Sequence, residues 1–210
     1  MTDFTPITEA LIACNREQAM NLVKSALDQG VAAKDLLNQG LIAGMDVIGE
    51  KMEKGEMFIP EVLMAAKIMS EAVDELKPLL SEADIEARGK VVIGTVKGDL
   101  HDIGKNLVSM LLESTGMEVF NVGVDVEPDA FISEVKTQQA DFLCLSALLT
   151  TTMPMMKETI KAVMESGIRD EVKVLVGGAP VTKNFADEIG ADGYAPDAGS
   201  ATKLVKSMFK

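Results

Sequence analysis

Residues 90–105 read KVVIGTVKGDLHDIGK: a short apolar run, then a polar loop carrying Gly98, Asp99 and His101, then the opening of an amphipathic helix. The plan returns at 117–123 (MEVFNVG), 141–147 (DFLCLSA) and 172–178 (VKVLVGG), with a weaker run around Gly193 and Tyr194. Apolar runs that alternate with amphipathic helices predict a parallel sheet covered by helices on both faces.

Five such units in the segment 89–210 suit a flavodoxin-like (Rossmann-type) open sheet of strand order 2-1-3-4-5. In such a sheet a ligand binds beyond the carboxyl ends of the strands where the order reverses, here between strands one and three. The loops that meet there are 97–105, with the only histidine of the chain, and 146–152, with Ser146, Thr150, Thr151 and Thr152.

Residues 1–88 follow a different period. Leu37, Leu41, Met45, Ile48 and Met52 recur at three- and four-residue steps, as do Leu63, Ala66, Met69, Val73, Leu76 and Leu80. Gly30 and Lys54-Gly55-Glu56 interrupt the pattern, and Pro60 fits a first helical turn. Helices near 6–13, 16–29, 33–53 and 60–81 are expected, packed as a four-helix bundle. The polar stretch 81–89 separates the two parts, giving an α + α/β chain of two domains, 1–88 and 89–210.

Charge and composition narrow the function. Twenty Lys+Arg against thirty-three Asp+Glu give a net charge of −13 over 210 residues, with the acidic excess in both halves. That balance repels nucleic acid and anionic membranes. The N-terminus lacks a signal-peptide plan and no apolar run reaches about 18 residues, so a cytoplasmic protein is expected. Cys14 and Cys144 form no CxxC and are expected to stay unpaired in a reducing compartment.

Each candidate residue has a plain reading beside a functional one. His101 lies at the ligand-binding edge, and Asp99 can accept from its far ring nitrogen, as a carboxylate does when it orients a metal-bound imidazole; Asp99 can equally be a turn or cap residue. One histidine and two distant cysteines exclude a structural zinc site, which needs about four ligands. A single imidazole suits a metal whose other positions a macrocycle already fills. Gly177-Gly178 permits close backbone approach or makes a tight turn. Ser146 and Thr150–Thr152 can bond a polar ligand tail or cap a helix. Met153, Met155 and Met156 can pad a large flat ligand or fill the core.

Taken together, Asp99-Leu100-His101-Asp102-Ile103-Gly104, Ser146-Ala147-Leu148 and Gly177-Gly178 resemble the DxHxxG…SxL…GG signature of cobalamin-binding domains. Residues 49–62 resemble the helical cap module that precedes this domain in methionine synthase. A cap plus a cobalamin domain of this length is similar to the corrinoid proteins of anaerobic methyltransferase systems.

The resemblance implies a base-off corrinoid with His101 as the lower cobalt ligand. Asp99 and Ser146 would complete its hydrogen-bond relay, Ser146 and Thr150 would line the groove for the nucleotide tail, and Gly104, Gly177 and Gly178 would give that tail room. Asp102 and Leu148 belong to the same motifs, and Phe58 and Val62 are candidates for shielding the upper face of the corrin, although bundle core is an equal reading for both. The implied activity is that of a methyl carrier and not of a complete enzyme. Cobalt(I) would take a methyl group from a donor held by a substrate:corrinoid methyltransferase, and a second methyltransferase would pass it to tetrahydrofolate or a thiol coenzyme. A reductive activating protein is a third implied partner, and a hinge near 81–89 would let the cap move aside. Competing readings are a carbon-skeleton mutase subunit, which normally lacks such a cap, a cobalamin-dependent regulator, which the charge balance disfavours, and a response-regulator-like domain, which needs an acidic cluster at the strand ends.

Overall fold

The computed structural model describes residues 3–80 and 88–209, which form two compact units, one helical and one built on a sheet. The hinge expected near 81–89 falls, for residues 81–87, outside the described residues. No helix among the described residues is long and apolar enough to cross a membrane.

The helical unit begins with α1 (Thr5–Ile12), which has Pro6 in its first turn, and α2 (Arg16–Asp28), which Asn15 caps by accepting from the Gln18 amide at 3.1 Å. The third helix expected over 33–53 is found in three pieces. A single turn α3 (Ala33–Asp35) runs into a π-helical stretch, Leu36–Ile42, and then into α4 (Ala43–Glu53). The π stretch and the start of α4 lie against α1. A Cβ on Gly40 would lie 3.3 Å from Ile7 Cγ2, one on Gly44 would lie 3.0 Å from Leu11 Cδ2, and Thr8 Oγ1 donates to the Gly40 carbonyl at 2.9 Å.

Helix α5 (Ile59–Leu76) has Pro60 in its first turn, with the Glu61 carboxylate accepting from the Phe58 amide at 2.8 Å. It stops short of the expected residue 81, because Pro78 turns the chain into a short 3-10 segment, Lys77–Leu79. Leu11, Val23, Leu41, Met45, Ile48, Val62 and Leu76 fill the interior of this four-helix unit.

The sheet unit holds β1 (Lys90–Thr95), β2 (Glu118–Asn121), β3 (Phe142–Ser146), β4 (Lys173–Gly177) and β5 (Gly193–Ala195), all parallel, in the order β2-β1-β3-β4-β5 expected from the sequence. Between and after the strands run α6 (Ile103–Ser114), α7 (Pro128–Gln138), α8 (Pro154–Glu165), α9 (Lys183–Ile189) and α10 (Ala198–Met208). Alternate residues of each strand serve opposite faces. Val92, Leu143, Leu145, Val174 and Val176 pack on one side with Phe131 and Ile160, while Val91, Ile93, Cys144 and Leu175 pack on the other with Leu112 and Val205.

Register brings Thr95, Ser146 and Gly177 into one row at the carboxyl edge. Cys14 and Cys144 are unpaired, and burial pushes the Cys144 thiol up to about 12, so it behaves as a small apolar residue.

Gly94 in β1 marks how tightly α7 sits on the sheet, since a Cβ there would meet Phe131 Cε1 at 2.5 Å and Val122 Cγ2 at 2.6 Å. Overpacking of this kind costs about 1–3 kcal/mol. Gly94→Ala should therefore lower the urea midpoint with an unchanged slope, and an unaltered midpoint would show that Phe131 yields freely.

Candidate functional site

The loop after β1 turns back at Gly98, whose φ of +80° suits glycine, and buries the side chain of Asp99 completely. Five donors converge on that carboxylate. Asp99 Oδ1 accepts from His101 Nδ1 at 2.7 Å and from the His101 amide at 3.1 Å. Its Oδ2 accepts from the amides of Leu148 and Leu149 at 2.8 and 3.2 Å and from Thr152 Oγ1 at 2.7 Å. Burial alone would raise the pKa of Asp99, but the bonds from Thr152, Leu148 and His101 together outweigh it and hold the group well below the usual carboxylate range.

An ionised carboxylate only accepts, so His101 Nδ1 must donate, and in the neutral ring Nε2 is then the atom with the free lone pair. The His101 side chain is half exposed, and Nε2 has no hydrogen-bond partner among the described residues. The buried Thr95 hydroxyl fixes the backbone here by donating to the His101 carbonyl at 2.8 Å.

The other sequence candidates fall into distinct roles. Asp102 opens α6, its carboxylate accepting from Asn106 Nδ2 at 3.0 Å. Gly104 is exposed, and a Cβ there would meet no protein atom within 4 Å. Gly178, at φ +133°, is required by the protein itself, because a Cβ would overlap the Ala147 carbonyl oxygen; a Cβ on Gly177 would sit 3.0 Å from the Ala195 carbonyl.

Ser146 closes β3 half-buried, but it is not a partner of Asp99, whose second oxygen goes to Thr152 and two amides instead. Thr150 is exposed, and Leu148 contributes its amide to Asp99 while 43% of the residue stays exposed. Met156 is core, and Met153 and Met155 pack against that core.

Phe58 and Val62 separate. Phe58 is 67% exposed, next to Ile59, Leu63 and Met64, which are also exposed, whereas Val62 is fully buried inside the helical unit. The shielding role expected of Val62 is thus corrected. It follows Phe58 by four residues, but Phe58 caps α5 in an extended conformation, so the two do not share a helix face.

Sequence reasoning missed Thr95 and did not single out Thr152 among its hydroxyl neighbours. It also passed over Leu100 and Ile103, which flank His101 and are 71% and 86% exposed. With Leu148 and Leu149 they make an apolar rim at the carboxyl edge. Lys105 is buried and donates to Asn106 Oδ1 at 2.7 Å and Asn121 Oδ1 at 2.6 Å; burial lowers its pKa, with Asp102 opposing. No group of three or more His, Cys, Asp or Glu positioned to hold a metal occurs among the described residues. One available imidazole nitrogen, an apolar rim and a glycine that no packing demands fit a macrocycle that brings its own equatorial metal ligands.

Comparison with known proteins gives the family and the fold. Two B12 binding domain families match, over residues 4–77 and 89–203. Dimethylamine corrinoid protein 1 of Methanosarcina acetivorans is 41% identical, covering 95% of this chain and 94% of its own length. The crystal structure of a cobalamin-binding protein from Desulfitobacterium hafniense superposes with a TM-score of 0.84 at 33% identity, covering 98% of both chains. The methanol:cobalamin methyltransferase complex MtaBC of Methanosarcina barkeri gives a TM-score of 0.85 at 30% identity, covering 98% of this chain and 79% of that one.

The convergence on Asp99 makes Asp99→Asn a disruptive change, because each carboxylate oxygen faces at least two donors and an amide nitrogen placed at either would oppose them. The substitution should cost the apo-protein about 2–4 kcal/mol at neutral pH. A depressed carboxylate contributes its stability above the unfolded pKa and loses it as pH falls through the folded one. Urea titrations of both proteins should therefore show the gap narrowing below about pH 4; a constant gap would mean that the charge of Asp99 is not what stabilises the loop.

Proposed function

The chain belongs to the B12-binding corrinoid proteins, and from that premise we propose that it is the methyl-carrying subunit of a multi-component methyltransferase system in the reducing cytoplasm. One observation carries the reading: His101 offers Nε2 outward while its Nδ1 is bonded at 2.7 Å to a fully buried, ionised carboxylate. The corrinoid supplies a cobalt centre able to accept and release a methyl group; the remaining work belongs to the side chains of this protein. His101 would hold the cobalt through Nε2, and Asp99 keeps the ring proton on Nδ1 so that Nε2 is the donor atom.

Leu100, Ile103 and Leu148 offer apolar surface to the ring, while Ser146 and Thr150 offer hydroxyls to a nucleotide tail. Gly104 leaves space beside the histidine, and Gly177 and Gly178 keep the backbone behind it close-packed. Asp102 sets the start of α6. Within the helical unit, Phe58 and Ile59 offer exposed apolar surface. Among the described residues nothing beyond this edge assembles a site for a methyl donor or acceptor. The donor would be chosen by a partner substrate:corrinoid methyltransferase, and a second methyltransferase would deliver the methyl group to tetrahydrofolate or a thiol coenzyme. The relatives support this division of labour, one being named for dimethylamine and another solved within a methanol methyltransferase complex. A reductive activating protein would restore the centre after adventitious oxidation.

The test uses the protein reconstituted with cobalamin in the cobalt(II) state. Wild type should show nitrogen hyperfine splitting from one imidazole, and His101→Ala should lose it while remaining folded. Splitting that persists in the variant would remove His101 from the metal. Adding a cognate methyltransferase should make methyl transfer depend on its concentration; steady demethylation by the isolated chain would overturn the carrier reading.

A further inference from the structure

We propose that Asp125, in the loop after β2, is a positioning residue that sets the ring of His101 through the backbone of Asp99; the inference rests on the reading of His101 as the metal ligand. Asp125 takes a left-handed conformation, φ +55°, rare for a residue with a side chain, and faces Gly98, itself at +80°. From that position it grips the histidine loop twice. Its Oδ1 accepts from the Gly98 amide at 2.7 Å, and its own amide donates to the Asp99 carbonyl at 2.9 Å. The Lys97–Gly98 and Asp99–Leu100 peptides, which bracket the Gly98–Asp99 unit, are thereby fixed from one residue.

The grip continues the sheet beyond the regular strands. Thr95 donates to the Gly123 carbonyl at 3.0 Å, Val126 donates back to the Thr95 carbonyl at 3.1 Å, and Val96 pairs with Val126. Lys97 and Glu127 add an ion pair at 2.7 Å, too exposed to contribute much. Two separate anchors therefore hold the loop. Thr95 fastens the His101 carbonyl, and Asp125 fastens the residues whose carboxylate bonds the ring. Without Asp125 the fold would still place Asp99 near His101, since the donors from Leu148 and Thr152 remain. The angle at which Oδ1 meets Nδ1 would no longer be fixed, and the ring would regain access to the tautomer protonated on Nε2, which cannot ligate through that atom.

A single histidine in the chain makes the ring directly readable. In apo-protein labelled with nitrogen-15, ring-nitrogen shifts followed to their alkaline limit give the ratio of the Nδ1–H to the Nε2–H tautomer. Asp125→Ala should lower that ratio roughly fivefold, the worth of one net hydrogen bond. Asp125→Asn keeps an acceptor and tolerates the left-handed conformation, so it should stay within about twofold of wild type.

In the cobalamin-loaded cobalt(II) protein, the fraction of centres with imidazole hyperfine splitting should fall in Asp125→Ala and be restored in Asp125→Asn. Asp192→Ala is the control. Asp192 bonds the Val174 amide at 2.7 Å and Arg169 at 2.9 Å, next to the amino ends of β4 and β5, so its loss weakens the same unit away from the loop. An unchanged tautomer ratio in Asp125→Ala, or an equal change in Asp192→Ala, would overturn the proposal. Failure of the ligand reading itself would look different: wild type would lack imidazole splitting, whatever the apo-protein ratio showed.

Discussion

A buried carboxylate with every lone pair engaged is the constraint on which the carboxyl edge of this sheet depends. Asp99 gathers donors from its own loop, from the amides of Leu148 and Leu149, and from Thr152 at the approach to α8. Burying a charge without such partners costs several kcal/mol, and leaving these donors unpaired would cost a comparable amount. Neither loop can move without exposing one side of that bargain. The arrangement also presupposes the strand order, because only when β1 lies beside β3 do residues about fifty apart in sequence share one carboxylate.

The glycines at this edge differ in what demands them. Gly178 yields to the Ala147 carbonyl, so the backbones after β3 and β4 touch and any larger residue must displace one of them. Gly98 is a turn glycine with a positive φ. Gly104, the second residue of α6, answers to no protein atom.

What could be read in the sequence followed from period and position. The five apolar runs announced their strands, and the strand order then selected the loops holding Asp99, His101 and Ser146 before any contact was known. What escaped is tertiary in origin. The heptad-like recurrence of Leu37, Leu41, Met45 and Ile48 is the same for an α-helix as for one interrupted at Leu36–Ile42, where α1 presses on Gly40. Four hydroxyl residues at 146 and 150–152 look interchangeable along the chain, yet only Thr152 is turned inward to reach Asp99. Val62 and Phe58 are both apolar near the start of a helix, and only the cap geometry decides that one is core and the other surface.

The donor set is as informative for what it withholds. A protein that builds its own metal site must bring three or four ligands to one point and shield them, and this edge brings one imidazole surrounded by Leu100, Ile103 and Leu148. An apolar rim stabilises no hydrated ion, so the metal must arrive already desolvated by ligands of its own. What this edge itself supplies is one ring nitrogen, so its residues control a single variable, the basicity and tautomer of that nitrogen. Asp99 governs that variable from a site closed to solvent, so the donor strength of Nε2 is insulated from the surroundings.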